Sequence, residues 1–274
     1  MRFFDDFATF PVGGVPGSYT ADITNAWSRP QPWGQWEISN FHGRNWLRFS
    51  SFRDTVQAFI SNNKMAFRTG IVQTQFILRP GLFDNVQPSI LARYIPNPGA
   101  SYQTPRDGIR LRLYRFSNVD NRLELTATRG GLNIVFSQTP LLVDWDTAYD
   151  MILQVTDDYI TGEILQNNKS LALIGAPLLL SWEGQIGFAV DADGSPSDPG
   201  QALFANLRAS EWSVVPVRAG WDTRPGPGGK VSRYLKGLED SDSRRSEAGS
   251  STLSNPWLNE TSGEYLDDQR RIYV

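Results

Sequence analysis

The chain has a single histidine, His42, and no cysteine among its 274 residues. That excludes thiol nucleophiles, cysteine-ligated zinc and disulfides, and it leaves no second histidine for a metal cluster and His42 alone to serve a Ser-His-Asp triad. His42 itself lies in Asn40-Phe41-His42-Gly43-Arg44-Asn45, a turn-forming string ahead of an alternating run that begins at Trp46. Carboxylate chemistry remains. Glycoside hydrolysis needs one protonated and one ionised carboxyl facing each other, about 5–5.5 Å apart in retaining enzymes. Glu163 stands alone on its strand, and Glu239-Asp240-Ser241-Asp242 falls in a polar C-terminal stretch. The expectation is a protein that binds rather than catalyses.

Two other groups of residues carry binding chemistry. Asp191-Ala192-Asp193-Gly194-Ser195-Pro196-Ser197-Asp198 offers hard oxygen ligands around a glycine turn, without the bidentate Glu of an EF-hand loop. Calcium and a plain loop of turn formers are both open readings of it. Trp27, Trp33, Trp36 and Trp46 fall within twenty residues. Indole faces stack on sugar rings, but Trp36 and Trp46 open strand-like runs and belong to a core. Trp27 and Trp33 are left as the glycan-binding candidates, Trp33 within Pro30-Gln31-Pro32-Trp33-Gly34.

The elements that must position these residues read as strands. Val72, Thr74, Phe76 and Leu78 share one face of Ile71 to Leu78, and Ile109, Leu111 and Leu113 point inward with Arg110 and Arg112 outward. A period of two signals a sheet with one wet face. Gly130-Gly131, Asp157-Asp158 and Asn167-Asn168-Lys169 punctuate the runs as hairpin turns. About a dozen short strands at close spacing, with no amphipathic helix, indicate an all-β sandwich. Phe10 to Pro32 and Ile95 to Asp107, rich in Pro and Gly, read as long loops.

The chain opens with Phe3-Phe4-Asp5-Asp6-Phe7 and closes its last two strands with Gly184-Gln185-Ile186-Gly187-Phe188 and Phe204-Ala205-Asn206-Leu207-Arg208-Ala209. This pairing resembles the concanavalin A-like (laminin-G-like) jelly roll over roughly residues 1–215. The resemblance implies an antiparallel jelly-roll β-sandwich whose first and last strands lie side by side. It also implies a structural calcium near the opening Asp pair, so that Asp5 and Asp6 join Asp191, Asp193 and Asp198 as the candidate metal ligands. Asn206 stands where the closing motif usually has Asp. The paired-carboxylate strand of glycosidases on this fold is missing, as are the Gln-x-His and Tyr-x-Lys-x-Gly strands of its polysaccharide lyases. The fold hosts many unrelated functions, so it does not select one.

A net charge of −3 gives no basic footprint for nucleic acid. No apolar run reaches the ~18 residues that span a bilayer, and none at the N-terminus has signal-peptide length. Folding in a cytoplasm is therefore expected. After about Val217 the composition turns to Gly, Pro, Ser and mixed charge, beginning Trp221-Asp222-Thr223-Arg224-Pro225-Gly226. Such a segment cannot bury enough surface to order itself. It nevertheless carries spaced apolar anchors: Trp221, Tyr234, Trp257, Leu258, Tyr265 and Tyr273. The expected organisation is a sandwich over 1–217 and an extended, mostly irregular C-terminal interaction arm over 218–274. The expected function is a non-enzymatic structural or interaction protein of a bacterial virus (capsid decoration, neck or tail-associated). It would be tethered through 221–274 to other virion proteins or to copies of itself. The alternative is a carbohydrate-binding module for a cell-surface glycan. No cofactor is required, apart from the candidate structural calcium.

Overall fold

Alternating apolar residues build two facing antiparallel sheets in the computed structural model, which describes residues 2–24, 34–52, 56–81, 84–96, 107–116, 120–130, 132–178 and 182–211. Fifteen strands, and no helix, occur among them. In chain order they are β1 (Arg2–Asp5), β2 (Tyr19–Thr24), β3 (Gly34–Phe41), β4 (Arg44–Ser51), β5 (Val56–Phe67), β6 (Gly70–Arg79), β7 (Val86–Ile95) and β8 (Asp107–Phe116). They continue as β9 (Asp120–Arg129), β10 (Leu132–Pro140), β11 (Ala148–Val155), β12 (Tyr159–Gln166), β13 (Lys169–Pro177), β14 (Gly184–Ala192) and β15 (Gly200–Glu211). The eight-stranded sheet runs β13-β12-β11-β6-β15-β4-β3, with β1 added on β15; the seven-stranded sheet runs β10-β9-β8-β7-β14-β5-β2. The fold is the expected jelly-roll sandwich. Arg2 to Asp5 pair with Ser210 to Leu207, so the first and last strands do lie side by side. The last two strands, β14 and β15, occupy interior positions of the two sheets.

Between the sheets the inward residues of every second position form one core: Trp36, Leu47, Phe49, Ile60, Phe76, Leu111, Leu125, Met151, Ile164, Phe188 and Phe204 are among them. Each such side chain removed from water contributes about 1.5–3 kcal/mol. Phe188 and Phe204 stack across the two interior strands with ring centroids 4.4 Å apart. Thr74 shares this buried face, as its position in the alternation requires. A bulge between Ala205 and Arg208 interrupts β15, and the Thr74 hydroxyl donates to the Ala205 carbonyl at 2.9 Å. Asn206 sits in that bulge at φ 54°. Asparagine tolerates this left-handed conformation, so its place in the closing motif has a conformational cause.

The turn chemistry explains the hairpins. Asn167 and Asn168 both have positive φ between Gln166 and Lys169, which are already paired, as a two-residue hairpin loop requires. His42 and Gly43, at φ 49° and 77°, close β3 on β4 in the same way, so the lone histidine serves a turn. Three expectations need correction. Phe10 to Pro32 is not one loop, because Tyr19–Thr24 pairs with β5. Asp191 is not a loop residue, because β14 continues through it to Ala192. Trp46 is buried, but on the far side of its sheet from the main core, in a cluster with Ile77, Leu203 and Ala205 beneath the Arg44 guanidinium. Of the Ile95 to Asp107 loop, residues 97–106 lie outside the described residues.

A buried charge closes one end of the sandwich. The Arg93 side chain is fully buried at a β7 bulge, with φ 53°. Its guanidinium donates to the carbonyls of Arg68 (2.6 Å) and Thr156 (3.0 Å) and to Asp157 (2.9 Å). Trp182 lies against it and donates its indole N–H to the Arg93 carbonyl at 2.7 Å. Close backbone approach recurs at Gly187 in β14, where a Cβ would meet the Ile60 carbonyl oxygen at 2.1 Å and Ser61 Cα at 2.7 Å. Both obstacles are backbone, so β14 and β5 would have to separate. Gly187→Ala is expected to lose at least about 3 kcal/mol, read as a shift of the urea midpoint, which overpacking between paired strands supports.

Candidate functional site

The outer face of the seven-stranded sheet carries polar side chains where a solvated surface would be expected, yet many of them are buried or half-buried. The period of two assigns them. With Ile109, Leu111 and Leu113 inward, β8 turns Arg110, Arg112 and Tyr114 outward. With Leu123, Leu125 and Ala127 inward, β9 turns out Arg122, Glu124, Thr126 and Thr128. Register then makes pairs: Arg112 lies opposite Glu124 and Ser89, and Arg110 opposite Thr126 and Leu91. Two strands from β8, Asp191 faces out of β14 between Gln57 and Gln87.

Small Ser89 on the intervening β7 lets both guanidiniums reach across to that carboxylate. Arg110 donates to Ser89 Oγ at 2.7 Å and to Asp191 Oδ2 at 2.7 Å, and Arg112 donates to the same oxygen at 3.2 Å. Arg112 also donates to Glu124 Oε2, at 2.9 Å from Nε and 2.5 Å from Nη2, while Arg122 donates to Glu124 Oε1 at 2.6 Å and to Asp120. Side-chain exposure is 12% for Arg110, 17% for Arg112, 19% for Asp191 and 2% for Glu124. Burial alone would push the Asp191 carboxyl up, but the two guanidiniums outweigh it and hold it below the ordinary carboxylate range. Burial lowers Arg110. It would lower Arg112 too, but Asp191 and Glu124 together raise it. The pairing thus favours the charged forms of Asp191 and Arg112.

Around it lie the other components of a binding surface. The Tyr114 ring has the Arg122 guanidinium 4.1 Å and the Arg112 guanidinium 5.2 Å from its centroid. Gln57, Leu91, Gly108, Arg110, Arg112, Thr126, Thr128 and Asn133 line a small cleft of about 100 Å³. Asn133 reaches it from β10, the edge strand beyond β9. Toward β5 the same face becomes apolar, with Phe59, Leu91, Tyr94 and Ala189 in one cluster and Phe59 stacked on Tyr94.

The residues singled out from sequence are distributed differently. Trp27 and Trp33 lie outside the described residues, as do Trp221, Tyr234, Trp257, Leu258, Tyr265 and Tyr273. The five candidate metal ligands are engaged separately. Asp5 accepts from the Phe7 N–H at 2.9 Å and the Tyr19 hydroxyl at 3.1 Å, and Asp6 from the Ala8 N–H. Asp191 is held by arginines, and Asp193 accepts from Asn85 at 2.8 Å. Asp198 closes a tight turn with Ser195 through its backbone N–H. Among the described residues no three His, Asp or Glu side chains converge as a metal-ligand group. Of the network, the alternation gave Arg110 and Arg112 only as outward-facing. What it lacked was their partners. Arg-x-Arg-x-Tyr on one strand followed by Arg-x-Glu-x-Thr-x-Thr on the next is the signal that would have found them, since consecutive antiparallel strands bring such rows together.

No protein-family model matches this chain, and no curated protein matches it. Solved structures share the fold. A Bacillus subtilis protein of unknown function with a galectin-like fold aligns at 15% identity over 70% of this chain and 89% of its own, with a TM-score of 0.50. The carbohydrate-binding module CBM66 of Bacillus subtilis aligns at 13% identity over 70% and 96%, with a TM-score of 0.48. The carbohydrate recognition domain of Emp47p aligns at 12% over 75% and 93%, with a TM-score of 0.49.

Proposed function

We propose that this chain binds a glycan on the outer face of the seven-stranded sheet, at the cleft between β7, β8, β9 and β10. The observation that supports this is the rigid network of Arg110, Arg112, Glu124 and Asp191 beside an open cleft. Sugar hydroxyls accept as well as donate, and the guanidiniums of Arg110 and Arg112, fixed by Asp191 and Glu124, line the cleft as donors without ordering cost on binding. Thr126, Thr128 and Asn133 add neutral partners, and Leu91 adds surface for C–H faces. Charge balance favours a neutral glycan: three guanidiniums (Arg110, Arg112, Arg122) meet three carboxylates (Asp120, Glu124, Asp191). The reading is one of binding without catalysis, because Asp191 and Glu124 are both engaged by arginines.

Titration of neutral oligosaccharides found on a glycan array tests it. Thr128→Val with Asn133→Ala removes cleft partners that take no part in the ion pairs. The double variant is expected to weaken binding by at least about tenfold, as unpaired sugar hydroxyls cost on the order of 1 kcal/mol or more each, with its melting temperature unchanged. Binding that is unaffected, or array hits restricted to anionic glycans, would remove the proposal. A structural role within an assembly, including that of a virion component, is the second reading. It draws on β10, an outer strand among the described residues that has no charged residue and exposes Leu132, Ile134 and Val135.

A further inference from the structure

We infer that the group seated in the cleft is the acetamido substituent of an N-acetylated aminosugar, so that the glycan bound is one containing N-acetylhexosamine. The inference rests on the glycan reading and narrows it. The cleft is lined by polar groups that the protein leaves unused. Thr126 and Thr128 are 2% and 7% exposed and face out of β9, yet neither hydroxyl has a hydrogen-bond partner among the described residues. Arg110 directs Nε to Ser89 and Nη2 to Asp191, and its Nη1 has no partner among them either. Polar groups this far from water are nearly always paired, so three left open around one cleft call for a partner from outside the chain.

Register sets these groups around a small space. Thr126 lies opposite Arg110 on β8, and Thr128 opposite Gly108, where the outward position carries no side chain. Leu91, opposite Arg110 on β7, supplies an apolar wall, and Val135, opposite Thr126 on β10 and 48% exposed, an apolar rim. The volume is about 100 Å³. A cavity of about 150 Å³ takes one benzene molecule, so a pyranose with its hydroxyls, roughly twice benzene in size, does not enter whole, and a single substituent does. The open groups select the substituent. Arg110 offers only donors, which suit a carbonyl oxygen; a threonine hydroxyl also accepts, which suits an N–H; Leu91 and Val135 suit a methyl. An acetamido group carries all three. A hydroxymethyl group has no apolar end, an O-acetyl ester has no N–H, and an ammonium would face the Arg110 guanidinium.

A glycan array probed with the full chain, followed by titration of matched sugars, tests the inference. The neutral glycans selected should contain N-acetylhexosamine. Neutral hits confined to glycans without it overturn the inference and leave the glycan reading standing; an array with no neutral hit removes both. For a selected glycan, the counterpart with a hydroxyl in place of the acetamido group should bind at least about tenfold more weakly to the wild type, since the open Arg110 and threonine groups then go unpaired. Equal affinity overturns the inference. Thr126→Val with Thr128→Val keeps the shape and removes only unpartnered hydroxyls, so its melting temperature should not fall. It should weaken the N-acetylated glycan by at least about tenfold and the hydroxyl counterpart by less than about threefold. Losses of the same size for both sugars, or none for either, place the acetamido group elsewhere and overturn the assignment. Should the variant fold poorly, the comparison of the two sugars on the wild type decides alone.

Discussion

Arg93→Met is expected to destabilise the sandwich by about 3–5 kcal/mol, the range for breaking a buried charge cluster. The Arg93 side chain has no exposed surface, and its donors hold two main-chain carbonyls, those of Arg68 and Thr156, besides Asp157. Methionine fills much of the volume and returns none of the hydrogen bonds. Each buried carbonyl left without a donor costs about 1–3 kcal/mol. Burial lowers the guanidinium to about 10, so it remains charged through the neutral range and the loss is one of charged hydrogen bonds. Arg93→Gly loses the same bonds and the buried volume but relieves the left-handed backbone at φ 53°, so its difference from Arg93→Met weighs a cavity against about 1 kcal/mol of backbone relief. Urea unfolding of both variants decides it. A methionine variant within 1 kcal/mol of wild type, by this order-of-magnitude scale, would show that solvent replaces the donors.

Asp191→Ala should be nearly as damaging, by about 3 kcal/mol, because it strips the shared carboxylate from two largely buried guanidiniums at once. Arg112 keeps Glu124, and Arg110 keeps the Ser89 hydroxyl. The effect has a pH signature. The folded carboxyl lies below its unfolded value of about 3.9. Its contribution is therefore complete above that unfolded value and is lost as pH falls through the lower folded one. The stability gap between wild type and Asp191→Asn should be constant from pH 7 to about 5 and should close progressively below about pH 4. Asp5 and Asp150, whose carboxyls burial raises, act with the opposite sign, so the difference between the two proteins is the quantity to follow. A gap that is flat down to pH 2 would mean that the ion pairs do not govern Asp191.

Much of the framework was legible because backbone and core obey local rules. The alternation at Ile109, Leu111 and Leu113 placed the β8 core face. The double asparagine at 167–168 placed a hairpin, whereas β1 on β15 was implied only by the family resemblance that the opening Phe-Phe-Asp-Asp-Phe and the closing strand carry. The candidate site was not legible to the same degree. Its partners come from β7, β8, β9 and β14, and only register across the sheet tells that Arg110 and Arg112 reach Asp191 over a serine. Read along the chain, Asp191 joins the acidic loop that follows it, and oxygen-rich loops suggest a cation. Read across the sheet, the same carboxylate already has two cations beside it. Trp182 was missed for a related reason: its partner Arg93 is 89 residues away, at a bulge that periodicity cannot show.

The interior placement of β14 and β15 also bears on how the protein comes to exist. β15 separates β6 from β4, and β14 separates β7 from β5, so until the last two strands have been synthesised each sheet is two pieces with a vacant slot between them. At about 5–20 residues per second, a ribosome takes many seconds to reach residue 211, and throughout that time neither piece can close on its neighbour. The nascent chain must keep two open slots lined by Phe76, Phe49, Ile90 and Ile60 from being filled by strands of other chains. Completion is then a single late insertion that zips both sheets together. Productive yield in a cell should therefore depend on chaperone capacity during elongation more than on the equilibrium stability of the finished sandwich.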